Sequence, residues 1–159
     1  QKKKIKKRNI VRYKIRTKNK KERDISQAQI PKIVEKFYRD NPLNHLENKL
    51  DSSTIYAIYT NYESDKNGEY DYIIGTEVTK ISHIPSPLVG ITIPAKEYTI
   101  LTTDRGPLPG NLISAWQYIW EREVSDPQFR RAYTLDFEIY DERAKNPNDV
   151  EIDIYIAIK

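Results

Sequence analysis

One order of secondary-structure signals occurs twice in this sequence, and the duplication constrains the fold more than any other feature. In the first half, the β-branched segment 10–16 predicts a strand. A helix is then indicated by apolar residues spaced three and four positions apart, namely Ile30, Ile33, Val34, Phe37 and Tyr38. Segments 54–62 and 69–78 predict two further strands, joined through the hairpin signal Asn67-Gly68.

The second half of the chain repeats the same order. Segments 89–93 and 98–102 predict a strand that is interrupted near Pro94, and a turn rich in Gly and Pro precedes a second helix. The apolar residues of that helix are Leu112, Ile113, Trp116, Ile119 and Trp120. Segments 133–140 and 150–158 predict the two final strands.

An offset of 79 residues superposes the two helices, because it lays Phe37 on Trp116. This repeat predicts an α+β fold of duplicated β-α-β-β units related by pseudo-two-fold symmetry. The two units should pack together, because neither unit alone covers its sheet and helix. The prediction includes an antiparallel sheet, two main helices and a central pocket on the symmetry axis. Residues 9–159 form a single domain in this prediction, with one repeat at about 9–79 and the other at about 88–159.

Most of the positive charge lies in an N-terminal arm, residues 1–23. The arm has 13 Lys or Arg and one acidic residue, a formal charge of +12, whereas the rest of the chain has 14 basic and 22 acidic residues, a charge of −8. We expect residues 1–8 to be a disordered basic leader. Because the arm has few aromatic residues to stack on bases, we expect only weak, nonspecific, salt-sensitive contact with nucleic acid through it. The acidic body is compatible with cationic ligands.

Residue types that are missing from the sequence exclude several kinds of site. Without cysteine, the chain has no disulfide framework, no thiolate nucleophile and no Cys-based zinc site. Both histidines, His45 and His83, fall in predicted surface loops, so we expect no metal site and no cofactor. No phosphate-binding loop, dinucleotide fingerprint or Gly-x-Ser-x-Gly motif occurs. No apolar run is long enough to span a bilayer, so we expect a cytoplasmic protein without membrane contact.

The predicted strand 133–140 carries two carboxylates on one face. Because side chains alternate between the faces of a strand, Asp136, Glu138 and Tyr140 share a face opposite the apolar residues. That face is either solvated or lines the central cleft. In a cleft, a single carboxylate ringed by aromatic side chains would suit an organic cation.

Several segments resemble one known family. They are IPSPLVGITIPAKEY at 84–98, AWQYIW at 115–120 and LDFEIYD at 135–141, with Ile30-Pro31 and YIIGTEV at 72–78 in the first half. Together they resemble the gyrase-inhibitor-like (GyrI-like) effector-binding family. This family forms the ligand-sensing half of AraC-type and multidrug-responsive transcription activators, and it also occurs as stand-alone proteins. The resemblance covers roughly residues 9–158 and implies the same duplicated fold.

The resemblance also implies a ligand site. It places Glu138 at the position of the family's pocket glutamate, with Tyr140 on the same face and Tyr155 on the neighbouring final strand. Trp116 and Trp120 lie on the helix that borders the pocket in this family. Either tryptophan alternatively packs in the core between helix and sheet.

Three functional hypotheses follow from these residues and this resemblance. The first is a module that binds small lipophilic molecules, above all organic cations, alone or as the effector-sensing part of a transcription regulator. The second is a small-molecule hydrolase with the pocket glutamate as base, although one carboxylate without a partner histidine is weak evidence for catalysis. The third is an interaction protein that inhibits a nucleic-acid enzyme or binds nucleic acid through its basic arm.

Overall fold

A computed structural model describes residues 2–24, 26–40, 54–79 and 88–159 of the chain. Two helices of ten residues or more and eight strands lie in these ranges, and an α+β fold is confirmed. The two histidines and residues 84–87 of the first resembling segment lie outside the described residues. No helix in the described part is both long enough and apolar enough to cross a membrane.

The helices and strands follow the predicted order, except that each half begins with two strands where one was predicted. The strands are β1 Lys2–Ile5, β2 Arg8–Lys18, β3 Ile55–Thr60, β4 Glu69–Val78, β5 Val89–Ile93, β6 Lys96–Thr102, β7 Leu135–Tyr140 and β8 Asp153–Ala157. The helices are α1 Asn19–Glu22, α2 Ile30–Asp40 and α3 Gly110–Ser125, with a short 3-10 turn at Glu142–Ala144. Pro31 lies in the first turn of α2, where its missing N–H breaks no helical hydrogen bond.

The strands form one sheet whose order is symmetric about its centre. The order is β1-β6-β8-β7-β3-β4-β2-β5, and all neighbours are antiparallel. In the central pair, Ile58 of β3 lies opposite Phe137 of β7. These two residues are also 79 positions apart in the sequence, so the pseudo-two-fold axis passes between them. The predicted duplication is confirmed, and its axis crosses the sheet at this pair.

The N-terminal segment differs from its prediction. Residues 1–8 were expected to be disordered, but Lys2–Ile5 forms β1 at one edge of the sheet, so that expectation is wrong for these residues. Ile5 is buried in the core and lies opposite Lys96 on β6. The charged side chains of Lys3 and Lys4 are exposed on this edge strand, where charge discourages pairing with another sheet.

The first strand of each half pairs with the opposite half. Ile5 of β1 lies opposite Lys96 of β6, which belongs to the second half. In the equivalent arrangement, Ile93 of β5 lies opposite Arg8 of β2, which belongs to the first half. The sequence predicted one interrupted strand at 89–102, whereas β5 and β6 lie in different halves of the sheet. The chain leaves β5 at Pro94, which has no N–H to continue a ladder of hydrogen bonds.

The two faces of the sheet are covered in different ways. One face carries a core cluster to which all eight strands contribute and which includes no helical residue, so the sheet curls around it. On the other face, Phe37 of α2 packs over β2, β3 and β4, and Trp116 of α3 packs with Ile154 and Ile156 of β8. The helices therefore cover the two halves of this face separately, and the central strands β3 and β7 lie between them.

Candidate functional site

A cleft lies between α2 and α3 over the central strands. It contains two adjoining cavities, of about 620 and 710 Å³, and Ile30, Tyr59 and Leu112 line both. The first cavity, at the α3 side, is also lined by Tyr62, Tyr70, Trp116, Trp120 and Arg131. The second is also lined by Val34, Tyr38, Tyr72, Glu138 and Tyr140. The central pocket predicted on the symmetry axis is therefore present as a largely aromatic cleft.

Glu138 is a fully buried carboxylate on the lining of the second cavity. The Trp116 indole Nε1–H donates to its Oε2 at 2.7 Å, and the Tyr59 hydroxyl donates to the same oxygen at 2.9 Å. The Tyr140 hydroxyl donates to Oε1 at 2.8 Å. All three donors are neutral groups, and among the described residues no Lys or Arg forms an ion pair with this carboxylate.

Burial raises the pKa of the Glu138 carboxyl above its ordinary value of 4.5. The three hydrogen bonds act in the opposite direction, because they stabilise the ionised form. Burial also raises the pKa values of the Tyr59, Tyr72 and Tyr140 hydroxyls, and the nearby Glu138 charge raises them further. These tyrosines therefore stay protonated, and Tyr59 and Tyr140 act as hydrogen-bond donors to Glu138.

The symmetry of the fold brings Tyr59 to Glu138. The two residues are 79 positions apart, so they occupy equivalent places in the two repeats and meet across the axis. Sequence reasoning did not include Tyr59 in the site. The offset of 79 that superposed the helices was the signal that could have identified it, since a residue next to a two-fold axis faces its own equivalent.

Four of the five residues predicted for the ligand site border the cleft. Tyr140 and Trp116 both donate to Glu138, and Trp116 also packs in the core against β8. Trp120 lies one helical turn further along α3, with its ring centroid 6.3 Å from that of Trp116, and it lines the first cavity. Whether these residues contact a ligand stays a prediction.

The prediction for Tyr155 is wrong, because this residue lies on the opposite face of the sheet. Glu138 is paired with Ile154, and directly paired residues share a face. Tyr155 is paired with Phe137, and their rings stack with centroids 4.5 Å apart inside the strand-only core. The isoleucine face of β8, not its tyrosine face, lies under α3 with Glu138.

A second buried carboxylate, Asp136, lies two residues before Glu138 on the same face. Arg131 Nη2 donates to its Oδ2 at 2.8 Å, the Tyr62 hydroxyl donates to the same oxygen, and the backbone N–H of Ala157 donates to Oδ1 at 2.8 Å. Arg131 Nη1 also donates to Glu123 Oε1 at 3.0 Å. The sequence did not indicate this ion pair, because Arg131 precedes the strand and had no predicted structural role.

The fold and the cleft define an effector-binding domain of the gyrase-inhibitor-like type, the kind of domain with which transcriptional regulators sense small molecules. Residues 3–158 match the family model described as Cass2, integron-associated effector binding protein. The chain belongs to this family, and the resemblance found in its sequence is confirmed. Because the match begins at residue 3, all of the strand β1 except Lys2 is within the family domain.

Relatives with regulatory names and solved structures resemble this chain over most of its length. YobU of Bacillus subtilis (strain 168), named as a transcriptional regulator, is 31% identical over 133 residues, which cover 84% of this chain and 81% of YobU. The integron cassette protein VCH_CASS2 of Vibrio cholerae is 31% identical, with a TM-score of 0.76 over 100% of this chain and 95% of that one. SAV2435 bound to tetraphenylphosphonium shares the fold at 16% identity, with a TM-score of 0.76 over 100% and 93% of the two chains.

Proposed function

We propose that this domain binds lipophilic organic cations in the cleft between α2 and α3, with the Glu138 carboxylate as their counter-ion. The observation that carries the proposal is the environment of Glu138, which is fully buried and, among the described residues, hydrogen-bonded only to neutral donors. In this role the domain acts as a sensor, alone or as the effector-binding part of a transcription regulator.

The cost of burying the carboxylate supports a cationic ligand. An ionised group removed from water loses its hydration, and without a partner charge it tends to take up a proton. Burial raises the pKa of Glu138 in this direction. A bound cation would stabilise the ionised Glu138 carboxylate by charge attraction, whereas a neutral ligand of the same shape would not.

The aromatic lining supports the same ligand class. The rings of Tyr59, Tyr72 and Tyr140 line the cavity that contains Glu138, and those of Trp116 and Trp120 line the adjoining cavity. A cation over the face of such a ring gains about 0.5–2 kcal/mol. The complex of the fold neighbour SAV2435 with tetraphenylphosphonium, a lipophilic cation, agrees with this ligand class.

Titration with tetraphenylphosphonium and with neutral triphenylphosphine oxide tests the proposal. The chain has two tryptophans, and both line the cleft, so tryptophan fluorescence reports on its occupancy. In Glu138→Gln, we expect the affinity for the cation to fall about tenfold to a hundredfold through loss of a charge-assisted contact. The affinity for the phosphine oxide should change by less than about twofold, since it carries no net charge.

Glu121→Gln is the matched control for this substitution. Glu121 is exposed on α3 and lines neither cavity of the cleft, so the variant loses one negative charge without altering the Glu138 environment. We expect it to bind both compounds like the wild type. Equal weakening of both compounds in Glu138→Gln, or weakening of the cation in both variants, would refute a specific counter-ion role for Glu138.

A further inference from the structure

The two cavities of the cleft differ in the charges that line them. Glu138 in the second cavity has no ionic partner among the described residues. The other charged residues on this lining are paired, Asp141 with Arg143 at 2.9 Å and Lys145 with Glu142 at 3.2 Å. Arg23, Lys66 and Arg131 line the first cavity, where the carboxylate of Glu22 accepts the backbone N–H groups of Gln29 and Ile30. A cationic group is therefore more favourable in the second cavity than in the first.

Arg131 has one hydrogen-bond donor without an acceptor. Its two terminal nitrogens donate to Glu123, Tyr133 and Asp136, and its side chain is 2% exposed. Among the described residues, Arg131 Nε is the single buried side-chain nitrogen or oxygen that lacks a hydrogen-bond partner. Buried polar groups in native proteins nearly always have a partner, so each exception needs an explanation, of which local strain and a partner from outside the chain are two.

The surroundings of Arg131 connect this donor with the first cavity. The guanidinium carbon lies 5.6 Å from the Trp116 ring centroid and 6.0 Å from that of Tyr62, and both rings line the cavity together with Arg131 itself. Arg131 therefore belongs to the wall of the first cavity. The Arg131 charge is already balanced by Asp136 and Glu123, so a neutral acceptor is favoured over an anion, which those two carboxylates would repel.

We infer that the effector is a lipophilic cation that also carries a neutral hydrogen-bond acceptor, such as a ketone or ether oxygen. Its cationic group lies beside Glu138 in the second cavity, and its acceptor oxygen receives the Arg131 Nε–H in the first. This inference rests on the proposed function for the cationic end, and it adds a second polar subsite that determines which cations bind best. Ile30, Tyr59 and Leu112 line both cavities, so one elongated molecule can occupy the two subsites at once.

A matched pair of ligands tests the second subsite in the wild-type protein. One is a triphenylphosphonium with a hexyl chain, and the other carries a ketone near the end of the same chain. We expect the ketone compound to bind about threefold to tenfold more tightly, because it pairs a buried donor. In the NMR spectrum of the 15N-labelled chain, the Nε–H resonance of Arg131 should shift with the ketone compound and not with the hexyl compound.

Arg131→Lys provides the matched variant, since it keeps the positive charge near Asp136 and Glu123 but has no Nε–H. In this variant the ketone and hexyl compounds should bind with affinities within about twofold of each other, because neither can receive an Nε–H. If the variant does not fold, the wild-type affinities and the NMR shift decide the matter. Equal affinities for the two compounds with an unchanged Arg131 resonance would overturn the inference.

Failure of this inference can be distinguished from failure of the proposed function. The same two compounds are titrated into Glu138→Gln. If the ketone advantage is absent in the wild type but Glu138→Gln weakens both cations, the counter-ion role stands and the Arg131 subsite is refuted. If the ketone advantage persists but Glu138→Gln weakens neither cation, the counter-ion role fails and with it the placement of the cationic end.

Discussion

Asp136 and Glu138 form a natural comparison, because they lie two residues apart on one face of β7 and both are fully buried. They differ in their partners. Asp136 accepts hydrogen bonds from Arg131, from Tyr62 and from a backbone N–H, so a cation of the chain itself balances its charge. Within the part of the chain that the structure describes, Glu138 accepts hydrogen bonds only from two tyrosines and a tryptophan, none of which is charged.

The difference separates a carboxylate paired within the chain from the carboxylate that we propose as the counter-ion of a ligand. In a buried ion pair, the attraction between the two charges offsets the cost of removing them from water. Removing one partner therefore leaves the other charge buried without compensation. A buried carboxylate with neutral donors is compensated only in part, and its pKa rises. Equal burial on the same strand thus gives two different electrostatic environments, and the charges of the neighbouring residues determine which one each carboxylate has.

The largest expected effect is on stability and concerns Asp136. Asp136→Asn removes the closer of the two carboxylates paired with buried Arg131, and breaking this pair should lower the free energy of unfolding by about 3 kcal/mol or more. Glu138→Gln should change it by less than about 1 kcal/mol, because the amide is uncharged and can accept from Trp116 and Tyr59 as the carboxylate does. Urea unfolding at neutral pH, followed by far-UV circular dichroism, measures both. Similar losses in the two variants would remove the distinction between the two carboxylates.

The next effect is the dependence of cation binding on pH. Binding of a permanent cation requires the ionised form of Glu138, whose pKa is raised, so affinity should fall as the pH drops below that pKa, by up to tenfold per unit. Tetraphenylphosphonium titrations between pH 4.5 and 8 measure the change, and Glu138→Gln should lack it. The opposite slope, or the same slope in Glu138→Gln, would assign the pH dependence to another group.

The same raised pKa has a consequence for stability without ligand. Because the folded protein holds the Glu138 proton more tightly than the unfolded chain, the protonated carboxyl stabilises the fold at acidic pH, and this contribution is lost as the pH rises through the folded pKa. The stability of the wild type relative to Glu138→Gln should therefore decrease from about pH 4.5 upward. Urea unfolding of the two proteins at a series of pH values measures the difference in their free energies of unfolding. A difference that stays constant with pH would show that the pKa of Glu138 is not raised.

The smallest effect compares two tyrosine hydroxyls on opposite faces of the sheet. Tyr140→Phe removes a donor to Glu138, so the pKa of Glu138 should rise further and affinity for tetraphenylphosphonium at neutral pH should fall about threefold to tenfold. Tyr155→Phe is the matched control, because Tyr155 stacks on Phe137 in the core on the opposite face of the sheet. This variant should bind tetraphenylphosphonium with an affinity within about twofold of that of the wild type. Weakening of equal size in both variants would indicate a general effect on the fold.

The sequence by itself determined the features that depend on local spacing. Apolar spacing predicted α2 and the core of α3, and strand alternation placed Glu138 and Tyr140 on one face of β7. The duplication was also visible, because an offset relates equivalent residues without any knowledge of their contacts. These features depend on periodicities of two and 3.6 residues, which a chain carries whether or not it has folded.

Tertiary structure alone decided which residues from distant parts of the chain meet. The register of β7 against β8 put Ile154, not Tyr155, beside Glu138, and alternation within one strand carries no information about its neighbour's register. The pairing of Arg131 with Asp136, the meeting of Tyr59 with Glu138 and the pairing of β1 with β6 likewise follow from packing. The charge balance that separates the two carboxylates of β7 is a property of these contacts, and it exists only once the sheet and α3 have assembled.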